Sequence, residues 1–116
     1  MHELVVTKSI HQLVLRHAQK ADAKRVLTVT LEIGALSDLQ TEWLQRYFDR
    51  LSRNTVSEGA ILNITRVPAV FLCKQCCQTF EISSLLDGDL TCQQCHSSEV
   101  SLVSGKEYHV INMEVL

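Results

Sequence analysis

Two cysteine pairs, Cys73-x2-Cys76 and Cys92-x2-Cys95, stand fifteen residues apart and carry the most specific chemistry in the chain. Two residues between paired cysteines let one tight turn aim both sulfurs at a single ion while backbone N–H groups point at the thiolates. The interval is long enough for a short hairpin excursion, and four thiolates of this kind select tetrahedral zinc. The competing reading is two disulfides or ordinary buried thiols. It fits poorly with the lack of secretory markers and leaves Cys77 as an odd fifth cysteine. Four-cysteine sites are closed, with no open position for water or substrate, so catalysis at this centre is not expected. No His or Cys is followed two places on by Glu, which removes the zinc deaminase pattern. Cys77 and His96, each next to a ligand, read as solvent-facing turn residues or as substitute ligands. A thiol oxidoreductase would need a cysteine left free when zinc is bound.

The amino terminus is the second place where residue order has chemical meaning. In Met1-His2-Glu3 the terminal amine, the amide nitrogen of residue 2 and its imidazole form adjacent chelate rings, and the next amide can complete four nitrogens in a plane. Square-planar nitrogen sets favour nickel(II) or copper(II) over zinc. A helix beginning near residue 3 or 4 leaves those amides without intrahelical acceptors, so helix and metal geometry are compatible. The plainer reading is an exposed terminal histidine, with Glu3 in favourable interaction with the helix dipole.

These residues need elements to hold them. Val6, Ile10, Leu13, Val14, His17 and Ala21 recur at helical steps, predicting a helix over about residues 4–20. Val26 to Ile33 alternates, with Leu27, Val29, Leu31 and Ile33 on one face, and Gly34 ends the strand. Asp38 or Thr41 can cap a second helix whose Leu44, Tyr47, Phe48 and Leu51 line the core, with Trp43 flanking. Ala60 to Val67 reads as a strand closed by Pro68. The segment 70–103 becomes short and turn-rich, with Asp87-Gly88-Asp89 signalling a turn, and His109 to Val115 alternates as a strand that rejoins the first sheet. The expected fold is α+β: two helices on a small three-stranded sheet over 1–69 and 104–116, with a zinc-ribbon-like module inserted at 70–103.

Composition narrows the partners. With 116 residues and 46% hydrophobic side chains, a packed core is within reach, while a formal charge of −2 gives no global attraction to nucleic acid or anionic membrane. No apolar run approaches the roughly 18–20 residues that span a bilayer, and the start is not that of a signal peptide, so a cytoplasmic setting is expected. Arg46, Arg50 and Arg53 form a basic stripe. Glu42 with Arg46 and Asp49 with Arg53 are i,i+4 pairs that would make it an ordinary solvated face. His17 lies on the apolar stripe as a partly buried histidine, with His11 beside it; either can be a weak accessory ligand, and His109 ends a strand.

Met1-His2-Glu3, Leu31-Glu32-Ile33-Gly34-Ala35-Leu36-Ser37, Thr55-Val56-Ser57-Glu58-Gly59-Ala60, Val67-Pro68-Ala69 and the four cysteines occur in an order and spacing that resembles the HypA/HybF family of nickel metallochaperones for [NiFe]-hydrogenase maturation. The resemblance covers essentially the whole chain. It implies a non-enzymatic carrier of Ni(II), with nickel at His2 (imidazole and amide), the Met1 amine and the Glu3 amide. It also implies structural zinc at Cys73, Cys76, Cys92 and Cys95, and as partners the GTPase HypB and the hydrogenase large-subunit precursor. Cys77 lies outside the family motif, and the chain is expected as monomer or homodimer. The alternative is a zinc-ribbon interaction module for protein or nucleic acid, which would leave His2 and the α/β part without a role and lacks the basic, aromatic-interleaved surface.

Overall fold

The computed structural model describes residues 2–82 and 90–116, the side chain of His2 excepted. Met1 and the Asp87-Gly88-Asp89 turn lie outside the described residues. The elements run α1 (His2–Lys20), β1 (Val26–Gly34), α2 (Thr41–Leu51), β2 (Ile61–Val67), β3 (Ala69–Cys73), β4 (Thr79–Ile82), β5 (Val100–Ser104) and β6 (Tyr108–Val115). They form two three-stranded sheets, ordered β2-β1-β6 and β4-β3-β5, and with two helices among the described residues the chain is α+β. The closing strand does rejoin the first sheet, beside β1. By backbone packing one compact unit comprises Met1–Leu31, Leu39–Thr65 and His109–Leu116, and a second comprises Glu32–Asp38 and Arg66–Tyr108.

In the first unit α1 packs on α2. The core takes Ile10, Val14 and Ala18 from α1, Val26, Val29 and Leu31 from β1, and Leu44 and Phe48 from α2. The buried stripe of α1 is not the expected one. Glu3, Thr7, Ile10, His11, Val14 and Ala18 face inward, whereas Val6 and Leu13 are half-buried and His17 and Ala21 are exposed. The physical reason is local satisfaction of polar groups. The Thr7 hydroxyl donates to the Glu3 carbonyl oxygen, and Glu3 Oε2 accepts the Gln40 N–H at 3.4 Å, so two polar residues can be buried where an apolar pattern would not place them. Of these two histidines, His11 rather than His17 is buried. Its ring meets Phe48 edge-on at 5.6 Å and 80°. The helix closes in a Schellman motif: Ala23 N–H bonds the Ala18 carbonyl and Asp22 N–H that of Gln19, with Asp22 left-handed at φ 52°.

Neither Asp38 nor Thr41 is the N-cap of α2. Gln40 holds that position without a side-chain cap bond, and its own N–H is the one that Glu3 accepts. The remote carboxylate thus accepts the N-cap N–H at this helix start, as the N3 Glu of a capping box would do locally.

In the second unit β3 is central. Phe71 pairs with Phe80 across the β3/β4 ladder and the rings stack 5.9 Å apart. Ala69, Phe71, Cys73, Phe80 and Cys92 form its buried core, so two of the four site cysteines are themselves core residues. Gly34 enters this unit at the end of β1. A Cβ there would stand 2.1 Å from the Gly105 carbonyl oxygen, so only glycine fits.

Candidate metal centre

Each cysteine pair sits in a turn of the same construction. Cys73 N–H donates to the Gln78 carbonyl and Cys77 N–H to the Cys73 carbonyl, both at 2.9 Å; Cys92 N–H to Ser97 and His96 N–H to Cys92 repeat this at the same lengths. Cys77 and His96 are therefore equivalent, each following the second cysteine of its pair, and each has φ 62°. The left-handed residue is what reverses the chain and brings both sulfurs to one side. The first turn is held from outside as well, by Lys74 N–H donating to the Glu99 carbonyl at 2.8 Å just before β5.

The two turns bring the four sulfurs of Cys73, Cys76, Cys92 and Cys95 within 4.8 Å of one another. Cys73 Sγ lies 3.5 Å from Cys95 Sγ and Cys76 Sγ 3.6 Å from Cys92 Sγ, so short sulfur contacts join the two pairs. Zinc–sulfur bonds of about 2.3 Å in a tetrahedron require sulfurs about 3.8 Å apart. The arrangement fits one four-coordinate ion, whereas a disulfide would need about 2.05 Å.

The backbone already treats one sulfur as an anion. The N–H groups of Cys95 and Gln94 point at Cys92 Sγ, the latter at 3.3 Å; against the opposing effect of burial, these and the neighbouring thiols hold that thiol down to about 6. Cys76 goes the other way. The Gln78 N–H pulls it down, but burial and the surrounding thiols of Cys92, Cys73 and Cys95 together push it up to about 12. Cys95 is also raised: the Ser97 N–H lowers it, and the combined influence of Cys73, burial and Cys92 wins. Sulfurs this close cannot all be ionised without a cation among them.

A family model described as "Hydrogenase/urease nickel incorporation, metallochaperone, hypA" matches residues 1–115. The chain belongs to the HypA family. The hydrogenase maturation factor HypA of Caldanaerobacter subterraneus is 38% identical over 116 residues, covering 99% of each chain, and that of Geotalea daltonii is 35% identical over the full length of both. Among solved structures, the solution structure of the Ni metallochaperone HypA from Helicobacter pylori superposes with a TM-score of 0.69 at 29% identity, covering 98% of this chain and 97% of that one. A second HypA solution structure gives 0.75, also at 29% identity, covering 100% and 97%.

In this HypA-family chain the other expected site residues belong to several different elements. Met1 and the His2 side chain lie outside the described residues; His2 opens α1, and Glu3 is buried with its carboxylate engaged by Gln40. Cys77 and His96 are exposed, and Cys77 is not among the clustered sulfurs. His17 and His109 are exposed too. The equivalence of Cys77 and His96 escaped sequence reasoning, yet a signal was present: Cys73-Lys74-Gln75-Cys76-Cys77-Gln78 and Cys92-Gln93-Gln94-Cys95-His96-Ser97 align position for position.

Proposed function

We propose that this HypA-family chain carries Ni(II) on a planar nitrogen set made by the Met1 amine, the His2 amide and imidazole, and the Glu3 amide. It delivers that ion to the [NiFe]-hydrogenase large-subunit precursor in the cytoplasm, in concert with the GTPase HypB, and performs no catalysis itself. The whole-chain match to a nickel-incorporation family carries this reading. The start of α1 at His2 supports it, because the first N–H groups of a helix lack intrahelical acceptors and their displacement by a metal breaks no helix bond. Glu3 contributes its backbone nitrogen as ligand. Its carboxylate, engaged with the N-cap of α2, anchors the first turn to the fold and so positions that nitrogen.

Zinc is resident at Cys73, Cys76, Cys92 and Cys95, where it staples the zinc-binding module at 70–103; the remainder, 1–69 and 104–116, is the nickel-binding part. Zinc supplies cross-linking there, and the residues around it do the rest: the paired turns orient the sulfurs and the backbone N–H groups stabilise thiolate charge.

A terminal site with few side-chain ligands exchanges its ion more readily than a cage does, as a carrier requires. Nickel titration of untagged protein beside a His2→Ala variant tests the assignment. The native chain binds one planar Ni(II), the variant loses it, and both retain one zinc. Because amine, amide and imidazole lose protons on binding, affinity weakens on acidification through about pH 6.5. Unchanged nickel spectra on adding one residue before Met1, or affinity flat with pH, would refute the ligand set.

A further inference from the structure

The outward face of α2 has chemistry that metal carriage does not use. The helix buries Leu44 and Phe48 and leaves Trp43, Arg46 and Arg50 exposed, with the half-buried Tyr47 among them at i, i+3, i+7 and i+4, neighbours along one stripe. Trp43 is 39% exposed. The Arg46 guanidinium lies over its ring, 5.2 Å from the centroid, and Tyr47 stacks on it at 5.8 Å and 27°. The acid–base pairing that would make this an ordinary solvated face is not formed. Asp49 accepts the Gln45 side-chain amide at 2.7 Å, and among the described residues neither Glu42 with Arg46 nor Asp49 with Arg53 makes an ion pair.

The reason is a sorting of charge around the helix. Gln45 acts as a surrogate strand for β2: its Oε1 accepts Leu62 N–H at 2.8 Å and its Nε2 donates to the Ala60 carbonyl at 3.3 Å. That amide draws Asp49 to the β2 side of α2, on the flank that Glu42 shares at seven residues' spacing. The arginines keep the other flank with the aromatics. An arginine stacked on a ring keeps its N–H fork directed outward for a carboxylate, and ordered Trp, Tyr and Arg side chains lose little entropy on docking. These three residue types also dominate binding hot spots.

We propose that the Trp43–Arg46–Tyr47–Arg50 face docks an acidic protein segment, with carboxylates one helical turn apart meeting Arg46 and Arg50 and an aliphatic side chain covering Trp43. A membrane surface fits less well, because the large aliphatic and Phe side chains of α2 point inward. Nucleic acid also fits less well, because Glu42 and Asp49 border the stripe and the chain is formally −2. The proposal stands on the geometry of α2 and not on the nickel ligands.

Trp43 is the only tryptophan in the chain, so its fluorescence reports the face directly. The probe is an Ala-based helical peptide bearing two Glu one turn apart with Leu between them; the same peptide with Gln or Lys replacing Glu is the control. The acidic peptide should change Trp43 emission saturably, bind about tenfold or more tighter than the Gln control, and weaken as salt rises. Arg46→Glu with Arg50→Glu should lose that binding and gain it for the Lys peptide. Arg46→Gln with Arg50→Gln, a milder surface change, should lose it without the reversal. Circular dichroism and zinc content establish that each variant is folded. Equal binding of the Gln peptide, or no emission change with the acidic one, overturns the proposal. So does a response to oligothymidylate or phosphatidylserine vesicles in place of the acidic peptide.

Discussion

Adding zinc to metal-free protein at pH 7 should release at least two protons, and the geometry says from where. The sulfurs of Cys73, Cys76, Cys92 and Cys95 lie within 4.8 Å of one another, too close for several thiolates to coexist without a cation. The charge settles on Cys92, where the Cys95 and Gln94 N–H groups converge and hold the thiol at about 6. A thiol held below neutrality is largely ionised at pH 7 and has little proton left to give. Cys76 and Cys95 differ. Despite the N–H of Gln78 on the first and of Ser97 on the second, burial and the neighbouring sulfurs raise both, Cys76 to about 12, so each still carries its proton when zinc arrives. Coordination takes both protons. Apparent zinc affinity should therefore rise by about a hundredfold or more per pH unit near neutrality. Competition against a chromophoric chelator over that range measures the slope, and calorimetry in buffers of different ionisation enthalpy counts the protons. Release of one proton or fewer, with a slope of tenfold or less, would refute the single-thiolate picture of the site.

Other expectations follow from the packing. Burial lowers the His11 pKa, and among the described residues its Nε2 has no hydrogen-bond partner. The unfolded chain therefore takes up the proton first, and wild-type stability should fall as pH drops below about 6.5, by at most about 1.4 kcal/mol per pH unit, until the lower folded value is reached. His11→Leu should remove that component from urea unfolding followed by Trp43 fluorescence; an unchanged pH slope would contradict it. Gly34→Ala drives a methyl to 2.1 Å from the backbone oxygen of Gly105 and should cost roughly 1–3 kcal/mol or more by thermal unfolding. Cys77→Gly relieves a left-handed residue and should stabilise the protein by up to about 1 kcal/mol while a full zinc complement remains. Cys76→Ser at the neighbouring position should instead lose tetrathiolate cobalt(II) absorption on metal substitution.

Much of the architecture is encoded over short distances and was legible for that reason. The period of Val26 to Ile33 anticipated a strand whose Val29, Leu31 and Ile33 are buried, and alternation in His109 to Val115 anticipated β6. The cysteine site was legible because two residues between ligands determine, within one turn, where both sulfurs point. Resemblance over the whole chain then carried the family, which the matches establish.

What local pattern could not supply is which polar groups find partners across the fold. The apolar stripe read from α1 left out Glu3, Thr7 and His11, yet they are buried, because Gln40 N–H, a backbone carbonyl and the Phe48 ring receive them. Glu42 and Asp49 read as partners of Arg46 and Arg53, but a glutamine serving a strand edge draws Asp49 aside and a tryptophan ring takes Arg46. The close approach of Gly34 to Gly105 is likewise a contact across 71 positions of chain. Spacing along the chain alone decided which four sulfurs cluster and the periods of the elements. Tertiary structure decided their surroundings, because burial and hydrogen bonding belong to whichever groups meet in space and are set only when the elements pack.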